Sequence, residues 1–511
     1  MPPRLSELCR GLTGEPFGNW EGVTVGGIVL DSRRARPGDL FAALPGHTHD
    51  GTSFIQEALH RGAQTLLLPW GTPPPPGIPG LASPHPRRTL SGLAAAFYGH
   101  PSRRVRVYGI TGSNGKTTVA TMLAQILNAG GCPTGLWSTD HVDSGIRRFR
   151  PALTTPEAPD LHRFLQEVES ADMEAACIEV SSHSVVQERI SDVRFAGGAI
   201  TSVTPDHLDF HGTFEAYLAA KRAFLRALPA SAIVAYHADE PGASRAVEGI
   251  AARRIACGFE SGAAIQASAV ETAATGVWAR LSIARELADI SPAFAAAPPD
   301  ADLALPLPGR HNLANAMLAT ALALAAGVRF PVIRQALAAF TPPARRLRIE
   351  RIGGRLVCDD VAMNQASFDA VFQTFAELEL PELVVVVALR GNRGPGVNAD
   401  IAGRLARWNR RLDFAPVVVT LSRQALGRYP LDYQVRPEEE AAFLDVLRDE
   451  GVSYRLHDEL DAAVADAASR LHAEGALLLL GTFGMDDGLH CARRILGGGD
   501  PGPLYSAPSF S

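Results

Sequence analysis

The chain of 511 residues has little of what would take it to DNA, to a membrane or to an oxidising compartment. Positive charge is not in excess: 48 Lys+Arg face 54 Asp+Glu, a net charge of -6. No overall basic field exists to hold a polyanion, so nucleic acid is not an expected partner. Long apolar runs are missing too. The longest, 383–389 (LVVVVAL) and 476–480 (ALLLL), are strand-sized, far short of the roughly 20 residues that a membrane helix needs. The first residues, MPPRLSELCRGL, carry Glu7 and no apolar segment ending in a small-residue cleavage site, so no secretory signal is expected. The 6 cysteines (Cys9, Cys132, Cys177, Cys257, Cys358 and Cys491) are scattered without a CxxC pair. That argues against thiolate metal sites and a disulfide framework, and suits reduced thiols in a cytoplasm.

What is present is material for packed cores. A hydrophobic fraction of 46% with 20% charged residues excludes a disordered chain, and at roughly 150 residues per domain the length suggests about three domains. Two proline-punctuated stretches divide it. The first, 69–86 (PWGTPPPPGIPGLASPHP), reads as a loop near the end of a first domain, because proline removes backbone donors and fixes φ. The second, 340–346 (FTPPARR), lies between an alanine-rich helical pattern and a strand-like run at 355–358. Between them, short β-rich runs alternate with helical periods: 105–111 then 117–129, 175–180 then 184–190, 199–202 then 214–228. This alternation predicts βαβ units on a parallel sheet. It resumes in 383–389, 416–421 and 476–481, and the tail from Gly497 reads as frayed. The expected boundaries are 1–104, 105–340 and 341–511.

Residues 105–118, VRVYGITGSNGKTT, read as a buried strand, a glycine-rich turn and a helix start. Successive amides in such a turn wrap phosphate oxygens, Lys116 can reach the β/γ phosphates, and the Thr117 hydroxyl can ligate Mg²⁺. The strict GxxxxGK[ST] pattern fails by one position, since Ile110 stands at its first glycine and the glycines fall at 109, 112 and 115. ATP is the expected nucleotide, whereas the reaction it drives is not fixed by the loop.

From this loop onward the chain resembles the Mur ligase superfamily, ATP-dependent enzymes that form amide bonds. The loop has the family's GxTGxNGKTT form. Thr154-Thr155-Pro156-Glu157 resembles the TTPE of the MurE type, and residues 179–183 its EVSSH. Gln187 and Arg189 resemble its QxR, residues 206–212 its DHLDYHG, and residues 309–315 the GxxNxxN motif on the adenine side. Leu30-Asp31-Ser32-Arg33 and the following PGDLFAALPGHTHDG are similar to the family's uridine-nucleotide-binding domain.

The resemblance implies an α/β chain of three domains: a UDP-binding N-terminal domain, a central P-loop ATPase domain on a parallel sheet, and a Rossmann-like C-terminal domain that brings the amine. It implies ATP contacts at Gly112, Asn114, Gly115, Lys116, Thr117, Thr118, Asn312 and Asp360, with Asn315 beside them. Substrate contacts would be Ser32 and the loop around His47, then Thr154, Thr155, Ser181, Gln187 and Arg189. Lys116, Glu179, His207 and Lys221 form the expected catalytic set. Thr117 and Glu179 would serve one Mg²⁺, with His207 and Lys221, carbamylated in the family, serving a second. Hard oxygen ligands and an occasional imidazole suit that ion. His183 is read as a packing residue.

The C-terminal part departs from the family. Its DYAHTPD-like segment is replaced by residues 359–368, DDVAMNQASF, and the amine-selecting DNPR by Thr420-Leu421-Ser422-Arg423, so only Arg423 is left to grip an amine's carboxylate. Arg390-Gly391-Asn392-Arg393-Gly394 reads equally as an anion-binding turn or a solvated basic one. In the family's TNLxxDH, Ser202 replaces Asn, which a bridging water can compensate. The expected activity is therefore addition of an amino acid or other amine to a UDP-muramoyl-peptide carboxylate through an acyl phosphate. Two alternatives stay open: the same chemistry on a non-UDP carboxylate, and a nucleotide-binding regulator without catalysis. Small molecules are the expected partners, the cytoplasm the expected location, and the oligomeric state is left open.

Overall fold

Apolar strands joined by helices have to cover both faces of each sheet, and the computed structural model, which describes residues 2–46, 50–414, 416–429 and 433–497, contains three such sheets. His47 and the tail 498–511 lie outside the described residues. The first sheet has 5 strands in the order Glu15–Phe17, Gly80–Ser83, Thr65–Pro69, Asp39–Ala42, Gly27–Val29. All neighbours are parallel except the first pair.

The expectation of a loop across 69–86 is corrected here. Gly80–Ser83 is an inner strand, and Pro86 opens the helix Pro86–Phe97. The prolines flank the strand rather than enter it, and at the first helical turn the missing N–H costs no hydrogen bond.

The second sheet has 11 strands, with Arg106–Thr111 between Phe195–Ile200 on one side and Ala175–Glu179 then Thr134–Trp137 on the other. These pairings are parallel, whereas the hairpins at both edges are antiparallel. The chain first builds to one side of Arg106–Thr111 and then crosses to the other, so the crevice at its carboxyl end is a topological switch point, where ligands bind in such sheets. Helices Lys116–Ala129 and Arg310–Ala325 share one core cluster on one face. Ala158–Ser170 and Phe214–Arg226 pack in a second cluster. Arg310–Ala325 has almost no polar side and is buried nearly all round, which explains its run of alanine and leucine.

The third sheet has 6 strands in the order Arg348–Ile352, Arg355–Asp360, Ala476–Leu480, Leu383–Ala388, Val417–Thr420, Tyr454–His457, antiparallel only in the first pair. Leu383–Ala388 and Ala476–Leu480 are wholly buried, as central parallel strands without alternation should be. The core cluster of Leu123 and Leu318 continues without a break into Phe368, Val371 and Phe372, so the third unit is packed onto the second.

Candidate active site

The strand Arg106–Thr111 stops at Thr111, and the turn that follows is shaped by glycine. Gly112 has φ +140°, and a Cβ there would lie 1.8 Å from Thr201 Oγ1; at Gly115, with φ +85°, it would lie 2.5 Å from Asn315 Oδ1. Neither position tolerates a side chain. Ile110, where the strict motif wants glycine, is still inside the buried strand. Lys116 opens the helix and donates from Nζ to the carbonyls of Gly112 and Ser113, both at 3.0 Å. Burial pushes its pKa down, against the pull of Glu179 and Asp206.

Lys221 reaches the same turn from the helix Phe214–Arg226 and donates to Gly112 O at 2.7 Å, its Nζ 4.5 Å from the centre of the Tyr217 ring. Its side chain is buried, and burial, then the neighbouring Lys116 charge, hold its pKa well below that of a free lysine. Two amines thus share one carbonyl, and burial weakens the hold of the more enclosed one on its proton.

Glu179 ends the strand Ala175–Glu179 fully buried and accepts from Thr139 N at 2.7 Å and Thr139 Oγ1 at 3.1 Å. Around it lie four of the residues read as substrate contacts. Thr154 Oγ1 lies 3.1 Å from Thr139 Oγ1, Thr155 Oγ1 donates to Glu179 O at 2.7 Å and accepts from Ser181 N, and Arg189 donates to Thr155 O at 3.0 Å. Arg189 also contacts Gln187 Oε1 and pairs with Glu157 at 2.7 Å. Ser202 Oγ accepts directly from Asn114 N at 3.3 Å, so the shorter side chain needs no water to reach the loop.

His207, with φ +53°, is the left-handed residue that turns the chain into the next helix. Its ring lies edge-on to His183 with centroids 4.7 Å apart, and its Nδ1 is 2.8 Å from Arg393 Nη1. His183 sits on the short helix Ser182–Val186, not in a loop, and also contacts the Phe210 ring.

Two cavities lie on either side of the linker at Arg345 and Arg346. One, of about 290 Å³, is lined by Asn114, Gly115, Thr118, Asn312, Asn315 and Asp360, which the sequence assigned to the nucleotide. Asn312 holds Pro308 O at 2.7 Å, and Asp360 accepts from Leu347 N at 2.7 Å. Burial raises the Asp360 pKa to about 6. The same cavity has Arg346, whose Nη2 is 3.2 Å from Thr117 Oγ1. Sequence reading missed Arg346; its signal was the arginine pair after the linker prolines. The second cavity, of about 680 Å³, runs from Asp140, His141 and Arg150 of the central unit to Arg428, Glu459 and Asp486 of the C-terminal one. Arg345 lines it with φ +56°, buried, bonded to Asp359 at 3.0 Å and to Asp486. Successive arginines of the linker therefore face different cavities.

Two sequence-assigned residues stay apart. Ser32 is buried in the first unit, its hydroxyl donating to Glu57 at 2.7 Å. Arg423 lines neither cavity; it is more than half exposed and pairs with Asp458 at 2.9 Å. Its short helix presents Gln424 and Ala425 to the larger cavity instead, and Arg428, just past its end, joins them.

A phosphate-cradling turn at the switch point of a parallel sheet, closed over by a third α/β unit, defines the class as a three-domain nucleotide-binding α/β protein. Family models match in three blocks: the Mur ligase family catalytic domain over 24–98, the Mur ligase middle domain over 110–323, and the Mur ligase glutamate ligase domain over 345–483. The UDP-N-acetylmuramoyl-L-alanyl-D-glutamate--2,6-diaminopimelate ligase of Rhizobium meliloti is 31% identical over 405 residues, 77% of this chain and 80% of that one. The UDP-N-acetylmuramyl-tripeptide synthetase of a Roseiflexus species is 33% identical over 426 residues, covering 78% and 80%. Among solved structures, MurF from Acinetobacter baumannii shares the fold with a TM-score of 0.70 at 20% identity, over 97% of this chain and 99% of that one. MurF from Thermotoga maritima in complex with ADP shares it at 0.64 and 19%, over 92% and 97%. The chain belongs to the Mur ligase family, as an ATP-dependent ligase of its MurE type. Among the described residues no helix is long and apolar enough to cross a membrane.

Proposed function

We propose that this ligase adds an amino acid or another amine to the free carboxylate of a UDP-N-acetylmuramoyl-peptide in the cytoplasm, with ATP converted to ADP and phosphate. Its working units would be residues 1–104 for the UDP group, 105–340 for ATP and 341–511 for the amine. The observation that carries this reading is a cavity on each side of the linker arginines, with Arg346 lining the one beside the phosphate loop and Arg345 the other. The smaller has the polar asparagines and Asp360 that a nucleoside needs. The larger starts at Asp140, next to the Thr139 that holds Glu179, and presents both signs of charge, as a zwitterionic amine requires.

The substrate carboxylate attacks the γ-phosphorus, ADP leaves, and the amine displaces phosphate from the acyl phosphate. Such transfer is chiefly positioning and charge neutralisation. Lys116 supplies a fixed cation at the loop. Thr154, Thr155 and Arg189 orient the peptide end against Glu179, and the third unit keeps water out while the acyl phosphate exists. Thr117, in the first turn of the helix after the phosphate loop, and Glu179, at the end of the neighbouring strand, offer hard oxygens that fit Mg²⁺. When bound, that ion would neutralise the phosphate charge. Burial loosens the proton on the enclosed Lys221 amine, which would add to CO₂ with loss of a proton, and the resulting carbamate would lie beside Lys116.

The test is phosphate release by the purified protein with Mg²⁺, ATP, bicarbonate and UDP-N-acetylmuramoyl-L-Ala-D-Glu across a panel of amino acids, with products weighed by mass spectrometry. Amine-dependent release with the matching mass gain is expected. Release that ignores the amine sinks the reading. A second reading changes the carboxylate only, and rests on Ser32 being committed to Glu57 and Asp31 to Arg33. Turnover of a muramoyl peptide lacking UDP at the same rate would favour it.

A further inference from the structure

The turn Arg390–Gly394 carries an arginine from the C-terminal sheet into the central unit. It leaves the strand Leu383–Ala388, passes Gly391, where a Cβ would lie 2.4 Å from Gln434 O, and takes a left-handed step at Asn392 with φ +62°. Arg393 then reaches across: Nη2 is 2.7 Å from Asp206 Oδ1, and Nη1 is 2.8 Å from His207 Nδ1 and 3.4 Å from Asp209 Oδ1. Both partners of the Asp206 pair are buried, at 7% and 6% side-chain exposure, so this is no loose surface contact. The other Asp206 oxygen accepts from Asn364 Nδ2 at 3.0 Å, and Asn364 Oδ1 accepts from Asn114 of the phosphate loop at 3.1 Å. Both carboxylate oxygens are thus held by the C-terminal unit.

The contact decides what His207 can do. A guanidinium has only N–H donors, so His207 Nδ1 must be the acceptor and the ring proton must sit on Nε2. In this arrangement one ring nitrogen spends its lone pair on Arg393 and the other carries hydrogen. No lone pair is left for a metal, although the family resemblance assigns His207 to a second Mg²⁺. The donors fit one divalent ion, at Thr117 and Glu179, but not another at His207.

We infer that Arg393 is itself the cation of the Asp206–His207 site in the closed enzyme, so that a divalent ion binds His207 only when the C-terminal unit withdraws its arginine. Arg393 is a positioning residue: it fixes the His207 tautomer and couples the metal count to domain closure. The inference rests on the reading that His207 faces the reacting phosphate.

Its test uses the full chain with ADP and bicarbonate, and Mn²⁺ as the probe, with free Mn²⁺ read by electron paramagnetic resonance. The wild type should take up one Mn²⁺ per chain. R393Q should gain a second, at least about tenfold tighter than any second site of the wild type, R393K should behave as the wild type, and the R393Q/H207A double variant should lose the gain. Identical binding curves for wild type and R393Q overturn the inference. Should R393Q fail to fold, the wild type alone decides. Nitrogen-15 spectra of its histidines should show His207 protonated on Nε2, and a proton on Nδ1 would overturn it. Amine-dependent phosphate release by the same preparation separates the two claims: its loss sinks the ligase reading, whereas its persistence with an Nδ1 proton sinks only the role of Arg393.

Discussion

The two cavities that meet at Arg345 and Arg346 are built from different materials. The nucleotide side is set by backbone: glycines with positive φ, a strand end and a helix start, with Asn315 packed where a Cβ at Gly115 would collide. The larger side is set by charged side chains next to short helix ends, among them Arg428, Glu459 and Asp486, which are tied to Asp487, to Gln424 N and to Arg345. A site made of backbone cannot change its ligand without changing its fold. One made of long side chains can, so the identity of the amine is written in the less rigid half.

The sharpest way to break this contrast is at the rigid half. Lys221→Ala should lower turnover by about 10²–10³-fold, the size expected when a preorganised charged group is removed from a site that excludes water. A short carboxylate such as acetate, placed in the hole, should restore part of it, because the carbamate acts as an anion. Unchanged turnover in a variant that still binds ATP would remove Lys221 from the mechanism.

In the variable half, Arg428→Ala should raise the KM for the amine by about tenfold, as loss of one charge-assisted hydrogen bond of about 1.5 kcal/mol predicts. The KM for ATP should stay put. Parallel changes in both constants would show that the cavities are not separate recognition sites.

The contrast also explains what was legible in the sequence. The strand, turn and helix of the phosphate loop were readable because they form one contiguous segment, with Glu179 at the end of the neighbouring strand. The inner strand Gly80–Ser83 was hidden by the prolines around it, since composition over a window cannot tell flanking prolines from internal ones. Arg346, Asn364 and Arg393 act on residues of the central unit far from them in sequence, so they acquire a role only when the units dock. Arg423 is the reverse case: its motif position was visible in the sequence, and in the fold it opens a short helix and pairs with Asp458.

Asp360 offers a test of the cost of the nucleotide site. Its carboxyl is raised to about 6 by burial, so it binds a proton more tightly folded than unfolded. Stability should therefore fall as pH climbs from the unfolded carboxylate range to about 6 and remain lowered above it. Asp360→Asn, which still accepts from Leu347 N, should be more stable than the wild type at pH 8 by about 1–2 kcal/mol. Near pH 3 the difference should vanish, and nucleotide affinity should drop. A variant whose melting advantage is the same at both pH values would disprove a titration origin.

The smallest effect is expected at Arg423, which the sequence singled out and which lines neither cavity. Arg423 is more than half exposed, and its pair with Asp458 is of the kind that typically contributes about 0–1 kcal/mol. Arg423 is not among the residues lining the larger cavity, while Arg428, on the same short segment, is. Arg423→Ala should thus change the KM for the amine by less than about twofold, the scale of a surface substitution within 0.5 kcal/mol. Measured beside Arg428→Ala, it asks which arginine meets the amine's carboxylate. A tenfold rise for Arg423→Ala with none for Arg428→Ala would mean that this helix rotates on binding, and that the amine enters from the face now paired with Asp458.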